Sequence, residues 1–409
     1  MCAGKAAERG ADATILERMS RPARKLMITG KGRCNLTNVA PLADFLDHFG
    51  PNGRFLRQAF NSFFVSDLLD FFKREGVRTV TERGGRVFPV SNEAKEIVDA
   101  LAGWAERNGA VIRSRCRVRR IRKLSTGEFR VEFEYSGEAK GMPQSKKMSY
   151  SADKVVIATG GASYPATGST GDGYSLARSL GHTIIPIRPA LVPLETSGDA
   201  AQELQGLSLR NVSVRLFVDG KKLSGMFGEM LFTHFGVSGP VILSLSKFAV
   251  EALDAGKTTS ISIDLKPALD DKKLDARLMR DIDAHGRMKF RGLLKLLLPM
   301  KLIPVCADLV GISLEKPLHQ LTAGNRKSLR NWLKDFRLEV TGHRSFNEAI
   351  ITAGGVRTSE INPRTMESRI VRGLFMAGEV MDLDADTGGF NLQAAFSTGW
   401  LAGVSAGSE

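Results

Sequence analysis

The chain has 409 residues, 43% of them hydrophobic and 25% charged, the balance of a water-soluble globular protein with room for two or three sizeable cores. No apolar run approaches a membrane span: the densest, RGLLKLLLPMKLIPVC (291–306), is broken by lysines and prolines, and the first residues lack the apolar core of an export signal. A formal charge of +14 favours anionic partners (nucleic acid, a phosphorylated cofactor, an anionic membrane face), although plain basicity with no polymer partner explains the number as well.

The first stretch, AGKAAERG (3–10), reads as a helix with a small-residue face closed by Gly10. DATILE (12–17) then reads as a short buried strand ending on Glu17. Small-faced helix, tight turn, strand and terminal acid form the second half of a dinucleotide-binding βαβ unit. In that unit a first strand leads into G-x-G-x-x-G, and the acid after the second strand takes ribose hydroxyls. Counting back from Glu17 puts those glycines before Met1, so the reading expects a unit whose first strand and glycines are missing from the sequence.

RPARKLMITGKGRCNLTN (21–38) is a loop rich in Gly, Arg, Lys and Asn. Gly30 and Gly32 permit close backbone approach, Lys25 and Arg33 suit a phosphate, and Thr29 and Asn35 can hydrogen-bond a polar ring edge. Residues 41–110 read mostly as helix, interrupted by a hairpin at VRTVTERGGRVFPV (77–90). Residues 111–150 read as strands and turns. Within them IRSRCRVRRIRKL (112–124) alternates arginine at 113, 115, 117 and 119, followed by 120 and 122. Alternation of this kind describes one solvated basic strand face, and no aromatics interleave for base stacking, which argues against a nucleic-acid partner.

KVVIATGG (154–161) is a buried strand whose end, Ala158–Gly161, has no bulky side chain to block a ligand. Asp172 beyond it reads as the N-cap of a helix, and Ser163 and Tyr164 either face a substrate or close the loop. From Pro186 to Pro193 the character changes to a domain crossing. Residues 194–265 read as β-rich and 266–340 as helical and strongly basic, and the glycine-rich buried style returns at ITAGGV (351–356). The expected division is therefore 1–190 plus 350–409 for one domain, 191–265 plus 336–349 for an inserted β-rich domain, and 266–335 for a helical one. His234, in THFGVSGP (233–240), sits beside a turn of the inserted part, as a candidate proton donor or as a histidine satisfied by packing.

RGLFMAGEVMDLDADTGGFNLQAAFSTGWLAG (372–403) is the strongest functional signal. LFMAG is a buried strand, Glu379 and Asp382 lie just past its end, and Gly388 and Gly389 open a helix. Ligands of open α/β sheets bind at strand carboxyl ends and helix N-termini. Free N–H groups at such a helix start suit the electron-rich carbonyl edge of a flavin, and Asp382 suits hydroxyls of a sugar-like chain. None of the four cysteines (Cys2, Cys34, Cys116, Cys306) forms a CxxC pair and no metal motif is present, which fits a reducing cytoplasm. There is no GxSxG elbow and no second G-x-G-x-x-G, so a nicotinamide partner would visit transiently.

With these residues on hand, the chain resembles the BaiN/YhiN-like family of NAD(P)/FAD-dependent oxidoreductases, also described as aminoacetone-oxidase-like flavoproteins. The resemblance rests on RKLMITGKGRCNLTN, GRVFPVS, ATGGASYPATGSTGDGY, LFTHFGVSGPVIL, TAGGV and AGEVMDLDADTGGFNLQ, which fall in the family's order from residue 1 to about 405. It implies an α/β fold: a Rossmann-like FAD-binding domain with an inserted β-barrel-like domain and a small helical domain. It implies FAD contacts from Glu17 (ribose), Lys25, Thr29, Gly30, Arg33, Cys34, Asn35, Val118 (adenine side, through its backbone), Thr159, Gly160, Gly378, Glu379, Asp382, Gly389, Phe390, Asn391 and Leu392. The implied activity is hydride transfer between a small organic substrate and FAD, with NAD(P)H or oxygen as second partner. Catalytic residues stay open, with His234 and Tyr164 as candidates. Two other readings are a non-catalytic remnant and a basic flavoprotein acting on RNA. From the missing glycines, the expectation is that the chain as written binds FAD poorly.

Overall fold

The computed structural model describes residues 1–139 and 142–408. It divides into two compact units, Met1–Pro189 with Ala349–Glu409, and Ala190–Glu348.

In the first unit the helix Cys2–Glu8 buries Gly4, Ala6 and Ala7, and the chain turns at Gly10 with φ +91°. The small-residue face has a specific use. A Cβ on Gly4 would stand 2.3 Å from the Trp104 ring of the helix Ala94–Arg107. On the other side, a Cβ on Gly403 of the last helix, Phe390–Ala406, would stand 2.5 Å from the Cys2 carbonyl. The first helix thus meets the last nearly backbone to backbone and takes the Trp104 ring against Gly4. Around them the rings of Phe63 and Trp400 stack at 4.4 Å, and Phe71 meets Trp104 edge-on at 5.0 Å.

The strand Thr14–Leu16 pairs in parallel with Val111–Arg113, and Val155–Ile157 pairs in parallel with Leu374–Met376. Parallel pairing places their carboxyl ends, and so Glu17, Thr159 and Gly378, just beyond strand termini. The expected hairpin is present as Thr79–Thr81 against Arg86–Pro89, with Thr37–Asn38 added alongside Arg86–Val87. Cys116–Lys123, Phe129–Ala139 and Met142–Ala152 form an antiparallel sheet. Its first strand departs from simple alternation: the register shifts between Val118 and Arg120. Arg119 and Arg122 reach across to Glu134 and Glu132 at 2.8 and 2.9 Å, so acids of the neighbouring strand neutralise part of the basic face.

The second unit contains a closed barrel of six strands: Leu194–Thr196, Gly236–Ser238, Lys221–Thr233, Ser208–Val218, Thr259–Asp264 and Phe336–His343, the last returning to Leu194. Val214, Leu216, Ile261 and Ile263 alternate inward and are fully buried. The helix Pro240–Asp254 covers the barrel with Ile242, Leu245 and Ala249. Asp271–Ala284, Phe290–Leu297, Leu302–Val310 and Ala323–Lys334 follow, and their Leu274, Leu278, Leu294 and Leu333 belong to the same continuous core. Barrel and helices therefore share one interior.

Glycine-to-alanine changes inside an exposed helix ordinarily stabilise it by about 1 kcal/mol. Gly403→Ala should do the reverse, losing about 1–3 kcal/mol through overpacking against Cys2. The measurement is a thermal unfolding midpoint, expected to fall; a rise would show that the first helix is free to move away.

Candidate nucleotide-binding site

Glu17 is the first residue past Leu16, where its N–H bonds the Arg113 carbonyl at 2.9 Å. Its carboxylate is half-buried, and Oε1 accepts the Met19 N–H at 2.7 Å. Burial pushes its carboxyl up, against the opposing pull of the Met19 amide, Arg18 and Arg24. The Cys116 N–H donates to the Glu17 carbonyl at 2.8 Å, which sets the strand carrying Val118 alongside.

The loop after the short helix Arg24–Ile28 is built from left-handed backbone: φ is +56° at Gly30, +60° at Lys31, +85° at Gly32 and +60° at Cys34. At Gly30 the turn also requires the missing side chain, because a Cβ would lie 3.0 Å from the Asn35 amide and 3.1 Å from the Phe88 ring. Thr29 caps the helix by donating to the Leu26 carbonyl at 2.8 Å. Cys34 is fully buried, and burial pushes its thiol up to about 11. Arg33 lies over the Phe88 ring at 4.0 Å and donates to Glu82 at 2.8 Å. Asn35 keeps a buried Oδ1 with no hydrogen bond.

Lys25 reaches across the site instead of outward. Its Nζ donates to Glu379 Oε2 at 2.7 Å and to Ser163 Oγ at 2.6 Å. Glu379 Oε1 also accepts the Thr352 N–H at 2.9 Å, while Thr352 Oγ1 accepts the Ala162 and Ser163 N–H groups at 2.8 and 3.2 Å. The network leaves no room for side chains at its edge: a Cβ on Gly161 would lie 2.4 Å from Thr352 Oγ1. Tyr174 is buried beside it, near Thr352 but in no well-formed hydrogen bond. Burial and then the Glu379 charge push its phenol far up.

Past Leu374–Met376, Gly378 takes φ +74°. Asp382 is held by Asn52, whose Nδ2 donates to its carbonyl at 2.8 Å and to Oδ2 at 3.1 Å. Gly389 starts the last helix so close to Thr37 that a Cβ would lie 2.4 Å from the Thr37 carbonyl. The side chains that follow turn inward. Phe390 stacks on His48 at 3.8 Å, and Asn391 exchanges bonds with the Ala385 N–H and C=O, both at 2.9 Å. Leu392 packs on the core. The first N–H groups of this helix, which have no intrahelical partner, are thus what the segment offers a ligand.

Asp172 differs from its expected role. Gly171 stands at the cap and Asp172 is the first helical residue, with no capping bond. Its carboxylate instead takes a two-point contact from Arg117 (2.9 and 2.9 Å) and a third from Arg18 (3.2 Å). Burial would raise its pKa, but Arg117, Thr170 and Arg18 outweigh that and hold it down. Arg117 was hidden by its place in the alternating basic run, since its partner lies in another segment altogether.

Thr159 and Gly160 lie at the end of Val155–Ile157 as expected. Tyr164 is a turn residue at φ +50° whose carbonyl accepts the Thr167 N–H at 2.8 Å. His234 belongs to the second unit, exposed in the turn between Lys221–Thr233 and Gly236–Ser238, with its ring against Phe235. Among the described residues no His/Cys/Asp/Glu group can hold a metal ion, and no helix is long and apolar enough to cross a membrane.

Parallel strands ending at an acid and at side-chain-poor loops, followed by a glycine-opened helix, define a Rossmann-type domain. The HI0933-like protein Rossmann domain family matches residues 1–405. A 3-dehydro-bile acid delta(4,6)-reductase from Clostridium scindens is 31% identical over 392 residues, covering 96% of this chain and 92% of that protein. A ribosomal RNA dihydrouridine synthase from Escherichia coli is 31% identical over 401 residues, covering 98% and 93%. Among solved structures, a 3-ketosteroid-delta4-(5alpha)-dehydrogenase from Rhodococcus jostii aligns over 100% of this chain and 94% of that one with a TM-score of 0.47 and 15% identity. The protein is an enzyme of the oxidoreductase class. It belongs to the HI0933-like family, the FAD-dependent oxidoreductases that its six ordered motifs resemble.

The depressed Asp172 carboxyl has a pH signature. A carboxylate held below its unfolded value, about 3.9, adds stability above that pH and loses it as pH falls through the folded value. Asp172→Asn should lower the thermal midpoint by a few degrees at pH 7, and the gap to the unsubstituted protein should close below about pH 4. A gap independent of pH would mean that the Arg117 and Arg18 contacts contribute nothing electrostatic.

Proposed function

We propose that the first unit holds FAD and that the enzyme reduces a carbon–carbon double bond conjugated to a carbonyl, with NAD(P)H as the electron source. The observation that carries the cofactor reading is the convergence in one unit of Glu17, Thr159–Gly160 and Gly378 at parallel strand ends with the helix opened by Gly389. The residues present fit the ribose, adenine and ring-edge parts of the group. Glu17 has a carboxylate oxygen beyond the one bonded to Met19, suited to ribose hydroxyls. Val118 offers its backbone on the adjoining strand. Asn35 has a buried acceptor without a partner, suited to a ring N–H. The N–H groups at Phe390, Asn391 and Leu392 suit a carbonyl edge that grows more negative on reduction. Lys25 and Arg33 are committed to Glu379 and Glu82, so we assign them to shaping the site; Asp382, steadied by Asn52, faces the hydroxyl-bearing chain in this reading.

Bound FAD would supply the hydride. The protein's own work is to hold the ring edge, orient the substrate and keep water away. The choice of reaction is supported by what the relatives' names have in common. A delta(4,6)-reductase of a 3-dehydro-bile acid and a dihydrouridine synthase both add two hydrogens across a C=C bond conjugated to a carbonyl.

Titration with FAD and with riboflavin, followed by flavin fluorescence, tests the assignment. Glu17→Ala should weaken FAD by about tenfold, roughly 1.4 kcal/mol, and leave riboflavin, which lacks the ribose, unchanged. Protein that takes up neither flavin would overturn the proposal. With flavin loaded, NAD(P)H consumption should depend on an added enone.

A further inference from the structure

Glu360, His182 and Ser368 lie end to end in the first unit. His182 Nδ1 stands 3.1 Å from Glu360 Oε2, and its Nε2 stands 2.8 Å from Ser368 Oγ. Acid, imidazole and hydroxyl in that order make a nucleophile relay when the hydroxyl is open to a substrate. Here it is closed: the His182 side chain is fully buried and Ser368 is 7% exposed. The hydroxyl oxygen is also occupied, accepting the Ile370 N–H at 3.0 Å and the Val371 N–H at 2.9 Å.

Those two bonds fix the protons. A serine oxygen has two lone pairs and one hydrogen. With both lone pairs taken, the hydrogen is donated to His182, so Nε2 is the acceptor. The imidazole is therefore neutral, with its proton on Nδ1 and donated to Glu360. An imidazolium would aim a second N–H at an oxygen with no lone pair left. The surroundings agree with a neutral ring. Burial pushes the His182 pKa down, against the pull of Glu360. Burial would raise the Glu360 carboxyl, but the bonds from Thr183 and His182 outweigh that and hold it down. Glu360 is the charge set against the ring. Of the other charged side chains on these segments, Glu367 accepts the Gly373 N–H, Arg369 donates to the Ile361 carbonyl, and Arg178 and Arg357 are exposed.

Three segments meet in this contact: the turn after the helix Asp172–Ser179, the short turn Thr358–Glu360, and the loop that leads into Leu374–Met376. Helix and strand both run on to the nucleotide site. The helix starts where Gly173 abuts Thr159, and the strand leads to Gly378.

We infer that the contact is an acid-released clasp: neutral His182 holds the segment 361–373 against the end of the helix, and protonation of the ring lets that segment go. A released histidine takes up its proton near its ordinary value, about 6.5, whereas the clasped one resists it. The clasp is therefore at full strength above about pH 6.5 and weakens as pH falls toward the clasped ring's lower value, by up to about tenfold per pH unit for one proton.

Two measurements on the whole protein test this, and neither needs flavin. Nitrogen-15 NMR of the histidine rings should show His182 as the Nδ1–H tautomer at about pH 7.5, its signal assigned by loss in His182→Gln and by displacement in Ser368→Ala. Amide hydrogen exchange of peptides within 361–373, corrected for the intrinsic effect of pH, should rise by up to about tenfold between about pH 6.5 and 5.5. His182→Gln keeps a donor and an acceptor but takes up no proton in this range, and should show no such rise. Ser368→Ala should exchange fast at both pH values, because Ile370 and Val371 lose their acceptor. Tautomer and pH response are both read on the unsubstituted protein, so a variant that fails to fold does not remove the test. An Nε2–H ring or an imidazolium at about pH 7.5, or protection that does not change with pH, or an equal rise in folded His182→Gln, would each overturn the proposal.

Discussion

The ion pair between Lys25 and Glu379 holds four segments of the first unit together. It joins a loop near the start of the chain to the turn after the last strand, and through Ser163 and Thr352 it gathers two more segments. Both partners are about four-fifths buried, with side-chain exposures of 21% and 19%. At that depth a lone charge is costly, so each partner requires the other. The backbone amide of Thr352 and the hydroxyl of Ser163 satisfy the remaining lone pairs, which separates a tolerable buried pair from an expensive one. The glycines around the pair follow from it: a side chain at Gly161 would occupy the space that Thr352 needs.

The second unit is organised by apolar contact instead. Phe336, on the strand that completes the barrel, meets Trp332 at 5.1 Å and Phe232 at 6.2 Å, so one ring touches both the helix Ala323–Lys334 and the barrel wall. This continuity explains why the β-rich and helical stretches, so different in composition, share one core. It also leaves the outward helix faces to charge.

Local features of the fold were legible in the sequence wherever they depend on neighbours along the chain. Alanines and glycines in AGKAAERG announce a helix meant for close packing, and TERGGRV announces the turn of the hairpin at 77–90. The acid that ends DATILE and the glycines at 388 and 389 of DADTGGF (384–390) mark strand and helix ends. Partnerships across the chain were not legible. Lys25 and Arg33 read as phosphate ligands in the sequence, and nothing along the chain names Glu379 and Glu82 as their partners. Arg117 looks like one more solvated arginine until Asp172 meets it. Asn391 looks ligand-facing, yet its amide closes the loop at Ala385. Periodicity reports which way a residue faces and says nothing of what waits there.

Cys34 sits in the middle of the most ligand-like loop, and its buried thiol has a wider meaning. Burial raises all four cysteines, with Cys2 and Cys34 at about 11 and Cys306 at about 12. A thiol at 11 is ionised in only about one molecule in ten thousand at neutral pH, and the thiolate is the form that attacks. Alkylating agents and peroxide therefore find little thiolate on the folded protein. An enzyme that handles electrons keeps its own thiols in the unreactive, protonated form.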